Sequence, residues 1–343
     1  MKRYALAHRS ACKVEILEEN CPPPGEGEVL VQTRYSGISA GTEGLIYQGL
    51  FPEDMPQDEH LPSLKGEFRY PFRYGYSCVG AVTQVGEGVP YSWMGRRVFA
   101  FHPHASHFTI PLPAVIPLPD TVRDEDAVFL PNMETAVNFL QDGRPLLGEA
   151  VVVFGLGVVG LLTTSLLAQF PLGFLGCVDR LFHRRRLAES LGATICLDTG
   201  EFPQPPSLRQ ALESAGLPCQ GADLVYELSG YPEVINQALG VCGFNSRIVI
   251  GSWYGKKTAP VSLGGVFHRQ RITILSSQVS TIHPSLTGRW DKERRFREVL
   301  HQLGKIKPGN WITHRFPLFE ADKVFQWLIN APQEGLQVIF TYT

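Results

Sequence analysis

The chain has 343 residues, 44% apolar and 19% charged, and a net charge of −2. That length exceeds what one core usually serves and predicts roughly two domains of a soluble globular protein. The near-neutral charge leaves no basic footprint for nucleic acid or for an anionic membrane surface.

The seven cysteines include no C-x-x-C pair and are odd in number. This argues against a disulfide framework and for a reducing compartment, so a cytoplasmic location is expected. Met1–Arg9 holds no apolar stretch of signal-peptide length. The first hundred or so residues read as short strands broken by turns. Glu28–Thr33 follows the turn-rich Pro22-Pro23-Pro24-Gly25, and Val79–Val85 and Arg97–Phe101 flank Gly86-Glu87-Gly88. That pattern predicts a β-rich domain, a small barrel.

From about Arg123 the texture changes. Asp124–Leu140 reads as a helix, and strands then alternate with helices. The strand candidates are Ala150–Phe154, Gly173–Val178, Ala193–Leu197, Asp223–Glu227, Arg247–Gly251 and Ile272–Ser276. Arg184–Leu191, Leu208–Ser214 and Pro232–Leu239 are the helices between them. Such alternation predicts a doubly wound parallel sheet, an α/β fold. Val151–Val178 is uncharged over 28 residues, long enough for a membrane span. Gly155, Gly157, Gly160 and Gln169–Gly173 interrupt it, so a buried strand, turn, helix and strand is the expectation. The mixed-charge run Arg289–Arg297 reads as a solvated helix face within a helix at Lys292–Leu303. A helix at Glu320–Ile329 and a strand at Leu336–Phe340 complete the chain and are expected to return to the first domain.

Gly155-Leu156-Gly157-Val158-Val159-Gly160 follows a β run and opens an apolar helix, the context that gives G-x-G-x-x-G its meaning. Gly155 permits the tight turn, Gly157 lets the backbone approach a pyrophosphate, and Gly160 lets helix and strand pack closely. The free N–H groups and dipole of the helix start favour the anion. Asp179, 19 residues beyond Gly160, ends the next strand, where a carboxylate accepts from the adenosine ribose hydroxyls. It favours NAD, while Arg180, Arg184, Arg185 and Arg186 suit the 2′-phosphate of NADP. The expected cofactor is NAD, with NADP second. Ser229, Gly230, Gly251, Ser252, Ser277 and Gln278 lie at the carboxyl ends of later strands, where the nicotinamide belongs.

Over essentially its whole length the chain resembles the medium-chain dehydrogenase/reductase superfamily. The likeness rests on Pro24–Val31, Ser36-Gly37-Ile38-Ser39, Gly75–Gly80 leading to Val85–Gly88, the glycine loop, Asp179 with Arg184 and Leu191-Gly192-Ala193, and Leu228-Ser229-Gly230. More narrowly, Ser36–Glu43, Tyr74–Ser77, His102-Pro103-His104, Asn132–Ala136, Phe267-His268-Arg269, Ser276–Val279 and Arg289-Trp290-Asp291 are similar to the group of 2-desacetyl-2-hydroxyethyl bacteriochlorophyllide dehydrogenase. The resemblance implies a GroES-like catalytic domain from residues 1–122 and 283–343 and a Rossmann domain from 123–282. It also implies an active site between them and a homodimer through the last Rossmann strand.

Alcohol dehydrogenases of that superfamily hold a catalytic zinc through a Cys, the His of a Gly-His-Glu turn, and a further Cys or Glu. Here those positions read Ser39, Gly75-Tyr76-Ser77 and Glu134. One carboxylate holds zinc poorly, and the four cysteines of a structural-zinc lobe are missing, so no metal is expected. His102, His104 and His107 leave three readings open: a metal site if His102 and His104 share a strand face, an acid–base role for His104, or no role. Tyr76, His104 and Glu134, with Ser39, Thr42 and Glu43, are the catalytic candidates. A phenol can donate to or accept from a substrate oxygen, although its ordinary pKa near 10 is high for a base. Tyr70, Tyr74, Trp253, Tyr254 and Trp290 either line a large pocket with Tyr76 or fill cores.

The reading is an NAD(P)-dependent oxidoreductase that interconverts a secondary alcohol and a ketone of a small molecule, without zinc. Two alternatives stay open: zinc-free reduction of an activated double bond, and a nucleotide-responsive binding protein without turnover.

Overall fold

The computed structural model describes residues 1–52, 55–58, 61–200 and 205–342. Residues 1–131 with 298–343 form one compact unit, and 132–297 form another.

The first unit opens with a hairpin of β1 (Lys2–Ser10) and β2 (Lys13–Asn20). β3 (Glu28–Ile38) leads into α1 (Ala40–Tyr47), and β4 (Cys78–Val85), β5 (Arg97–Ala100), β6 (His107–Pro111), β7 (Val115–Pro117) and the short α2 (Asp124–Ala127) follow. α3 (Leu130–Gly143) carries the chain into the second unit. The helix expected over Asp124–Leu140 is thus two helices. Pro131 explains the break, because it has no N–H to give the Ala127 carbonyl, while a first-turn proline suits the start of α3.

In the second unit β8 (Ala150–Phe154), α4 (Val158–Leu167), β9 (Phe174–Val178), α5 (Phe182–Ser190), β10 (Ile195–Leu197), α6 (Pro205–Ser214), β11 (Ala222–Glu227), α7 (Val234–Val241), β12 (Cys242–Ile250) and β13 (Thr273–Ser276) alternate as expected. The six strands are all parallel, in the order β10-β9-β8-β11-β12-β13. This is the dinucleotide-binding order, and its switch point falls between β8 and β11. β8 and β9 are buried at every residue, as strands covered on both faces must be. The long uncharged run is therefore strand, turn, helix and strand. Among the described residues no helix is long and apolar enough to cross a membrane.

α8 (Lys292–Ile306) leads back to the first unit, which gains β14 (Ile312–Pro317), α9 (Ala321–Asn330) and β15 (Gln337–Thr341). β15 runs antiparallel to β3, placing the chain's end in a seven-stranded sheet of order β14-β15-β3-β4-β5-β7, with β6 also on β3. One core of this unit packs Leu6, Tyr47, Val324, Phe325 and Phe340 together.

His8 is fully buried at that core, stacked on Phe72 and edge-on to Phe325, and neither ring nitrogen has a hydrogen-bond partner. Burial, and then the neighbouring His104, push its pKa down to about 3. The folded state therefore takes up this proton less readily than the unfolded chain. The stability involved is complete above the ordinary histidine pKa and drains away as pH falls from about 6.5 toward 3. Chemical denaturation of the wild type and His8→Leu should coincide near pH 7.5. The variant should then lead by a growing margin, on the order of a few kcal/mol at pH 4; parallel curves would refute the assignment.

Candidate active site

Gly155 takes φ +88°, and a Cβ there would lie 2.6 Å from the Ser229 backbone. At Gly160 a Cβ would stand 1.9 Å from the Gly155 carbonyl oxygen, so helix and strand ends approach as only glycine allows. Gly157 is the opposite case: nothing lies within 4 Å of its Cβ position, and no side chain caps α4. The first helical bond is Leu161 N–H to Gly157 C=O, at 2.9 Å, so the amides of Val158, Val159 and Gly160 precede any intrahelical partner. Open space above bare amides at a helix start is what a diphosphate needs, and these residues fit one.

Asp179 braces this loop. Its Oδ2 accepts from Leu156 N–H at 2.6 Å and its Oδ1 from Leu181 N–H at 2.8 Å. Each oxygen keeps further acceptor capacity for a ribose hydroxyl. Beside it, the Arg180 guanidinium stacks 5.4 Å from the centre of the half-exposed Tyr231 ring, and Lys257 Nζ lies 5.0 Å from the same ring. Arg184 is held near Asp179 and Tyr231, whose charges oppose the lowering of its pKa by burial.

At the ends of β11 and β12, among the expected Ser229, Gly230, Gly251 and Ser252, the structure adds a carboxylate that the sequence reading missed. Glu227, fully buried, accepts through Oε1 from Ser229 N–H at 2.9 Å and from the Ser229 hydroxyl. Its Oε2 accepts from the Tyr254 hydroxyl at 2.5 Å. Gly230 N–H donates to Ser252 Oγ at 2.9 Å, and Gly251 lies against the Phe139 ring. Its one sequence signal is a carboxylate ending an apolar strand. Ser277 donates to Asp142 at 2.6 Å and meets Asn138 at 2.8 Å, which ties it to α3; Gln278 is exposed and bonds Ser280.

Glu134, also in the second unit, is buried and not free to coordinate. Lys292 Nζ approaches its Oε1 at 2.5 Å and Arg295 Nη1 at 3.5 Å. Both cations also donate to the Val279 carbonyl at 2.9 Å, so the trio fastens the segment after β13 to α3 and α8. A metal cation would have to displace two positive charges from this carboxylate.

In the first unit, Glu43 on α1 is fully buried. Its Oε1 accepts from Ser39 N–H at 2.8 Å, and its Oε2 meets His104 Nε2 at 2.8 Å. His104 Nδ1 bonds Ser36 Oγ at 2.6 Å, and Ser36 Oγ bonds the Tyr342 hydroxyl at 2.7 Å. Both ring nitrogens of His104 are thus engaged and the ring is fully buried, which makes it a supporting group. His102 does not converge with it. Residues 101–105 are not a strand, so the shared-face expectation fails, and His102 instead stacks on Phe108 with ring centres 3.9 Å apart. Among the described residues no three His, Cys, Asp or Glu side chains gather as for a metal.

Half-buried Tyr76 bonds the Ser39 and Thr42 side chains. Its pKa is pushed up to about 12, by burial first and then by Glu43, with the two hydroxyls pulling the other way. It is a phenol that donates and stays protonated. Gly75 before it takes φ +117°, and a Cβ there would lie 2.7 Å from the His104 ring, so this turn rests on the histidine. Ser39, Tyr76 and Glu134 therefore offer a bonded hydroxyl, a high-pKa phenol and an ion-paired carboxylate, and these donors do not fit zinc.

The zinc-binding dehydrogenase family matches residues 158–298. The starvation-sensing protein RspB of Escherichia coli K12 is 25% identical over 91% of this chain and 94% of its own length. The (R,R)-butanediol dehydrogenase of Bacillus subtilis is also 25% identical, over 75% and 78%. The rspB alcohol dehydrogenase of Escherichia coli CFT073, solved with NADH, superposes with a TM-score of 0.78 over 99% of both chains at 20% identity. The chain is thus similar to zinc-type alcohol-dehydrogenase-like proteins over most of its length, and it shares their fold. The family match begins at Val158, so it includes none of Ser39, Tyr76 and Glu134.

Removing the Glu134 carboxylate strands the fully buried Arg295. Glu134→Ala should cost about 3 kcal/mol, discounted little because Glu134 and Arg295 are both buried. The loss should be the same with and without a chelator; a chelator-dependent loss in denaturant unfolding would point to a metal.

Proposed function

We propose that this oxidoreductase interconverts a secondary alcohol and a ketone by hydride transfer with NAD, or secondarily NADP, and without a catalytic metal. The observation that carries the reading is the bare amide loop Gly155–Gly160 braced by Asp179. Val158, Val159 and Gly160 hold the diphosphate, and Asp179 holds the adenosine ribose. Arg180, Arg184 and Lys257 supply the positive charge a 2′-phosphate would need. Ser229, Gly230, Gly251, Ser252 and Ser277 hold the nicotinamide end. When bound, the nicotinamide accepts or delivers the hydride.

Tyr76 hydrogen-bonds the substrate oxygen. With a pKa near 12 it donates to a carbonyl and is a poor base at neutral pH, which favours the ketone-reducing direction. Ser39 and Thr42 aim the phenol, and Glu43 with His104 fixes the turn that carries it. A donor of this kind serves the carbonyl of an enone equally well, so double-bond reduction is the second reading. The finer kinship to the bacteriochlorophyllide dehydrogenase group is supported by the quoted stretches, and it does not assign the substrate. The cytoplasm is the proposed location. A homodimer through β13 is favoured by the exposed Phe244, Leu263 and Val266; sedimentation at the monomer mass would exclude it.

Purified protein should contain less than about 0.1 zinc per chain by elemental analysis and reduce ketones unchanged in chelator. Tyr76→Phe should lower kcat about 100-fold or more while leaving NADH affinity within twofold. Stoichiometric zinc with chelator-sensitive turnover would overturn the metal-free reading, and unchanged kcat would remove Tyr76 from the chemistry.

A further inference from the structure

The N-terminal strand carries a pattern that the nucleotide reading does not use. Arg3, Ala5, Ala7 and Arg9 alternate along β1 and so share one face, with Ala5 and Ala7 as buried as Leu6 and His8 on the other. Cations thus bracket two small residues. This face lines a cavity of about 400 Å³, a volume in the range of small-molecule sites, together with Lys65 and Arg73.

The charges there are unequal. Glu19 stands opposite Arg3 in the hairpin register, 3.3 Å from Arg3 Nε and 2.6 Å from Arg73 Nη2. Arg9 pairs with Glu15, and Lys65 is exposed. Among the described residues, four cationic heads around the cavity share two carboxylates, leaving about two positive charges over. The Arg3 Nε–H is buried and, despite the ion pair, has no hydrogen-bond acceptor. Glu19 Oε1, 3.3 Å away, is likewise buried and unbonded, so donor and carboxylate are both left unsatisfied there.

The walls are fixed in advance. His8 N–H donates to Phe72 C=O at 2.8 Å and Phe72 N–H to His8 C=O at 3.1 Å, while Leu6 N–H donates to His104 C=O at 3.0 Å. Two guanidiniums held by one carboxylate lose little freedom on binding an oxyanion. His102, which also lines the cavity, already feels them: burial first, and also Arg3 and Arg73, hold its pKa down at about 4.

We infer that this cavity is a second ligand site, which takes a small molecule whose doubly negative oxyanion group, a phosphomonoester or a dicarboxylate, is gripped by Arg3 and Arg73. No residue of the nucleotide loop lines the cavity, although His104, which supports the Tyr76 turn from its other side, does.

Calorimetric titration of the full chain at low ionic strength tests it, with inorganic phosphate and succinate as the two probes. One site should be seen for at least one of them, and the tighter probe tells phosphomonoester from dicarboxylate. Arg73→Gln should weaken it about tenfold, and Lys65→Gln, whose exposed head does not support the fold, about threefold. NADH affinity, measured on the same samples, should not change. Absence of binding by both probes overturns the inference. So does phosphate binding that ignores both substitutions and is displaced by NADH, since it places the anion on the Gly155–Gly160 loop.

Discussion

The carboxylate of Asp179 joins two requirements of the second unit. Through its 2.6 Å bond to Leu156 N–H it holds the glycine loop in place, and through Leu181 N–H it shapes the turn into α5. A loop crowded this closely, with Gly155 against Ser229 and Gly160 against Gly155, has no slack to adjust when a ligand arrives. Its geometry must exist beforehand. The same acid that would face a ribose therefore also organises the amides that would face the diphosphate. Loss of the acid would be felt at both ends of a dinucleotide.

Charge placement gives the active-site half its other constraint. At Ser39, Tyr76 and Glu134 neighbouring side chains complete one another. Lys292 and Arg295 satisfy Glu134, and Ser39 and Thr42 satisfy Tyr76. Glu43 turns toward His104 and the start of α1 at once. Each of these contacts keeps a buried polar group paired, as burial demands. A pKa pushed up to about 12 keeps the Tyr76 phenol protonated, so it can act only as a donor near neutral pH.

Much of the second unit was legible in the sequence. β8 was read to the residue, because continuous apolar runs ended by glycine or an acid leave a parallel strand few other places. The parallel, doubly wound character of the β8–β13 sheet followed from alternation alone. The first unit was read less well. The β1–β2 hairpin escaped notice because its faces carry alanine and charge instead of an apolar alternation, and the Arg3–Glu19 and Arg9–Glu15 pairs that knit it are cross-strand. α1 was hidden by Gly41 and Gly44, poor helix formers that tertiary burial overrides. The histidines misled for a similar reason. His102 and His104 have strand spacing in a segment that is not a strand, so spacing put on one face what the fold separates. Glu134 and His104 are legible as residues, but their partners Lys292 and Ser36 lie 158 and 68 positions away, Ser36 in turn bonds Tyr342, 306 positions on, and no local pattern links them.

The central claim is spatial, and a crystal structure of the chain with NADH tests it most directly. The account predicts diphosphate oxygens accepting from the Val158 and Val159 amides, with the adenosine ribose hydroxyls on Asp179. A nucleotide seated anywhere else, or side chains closing over Gly157 and leaving it no room, would contradict it.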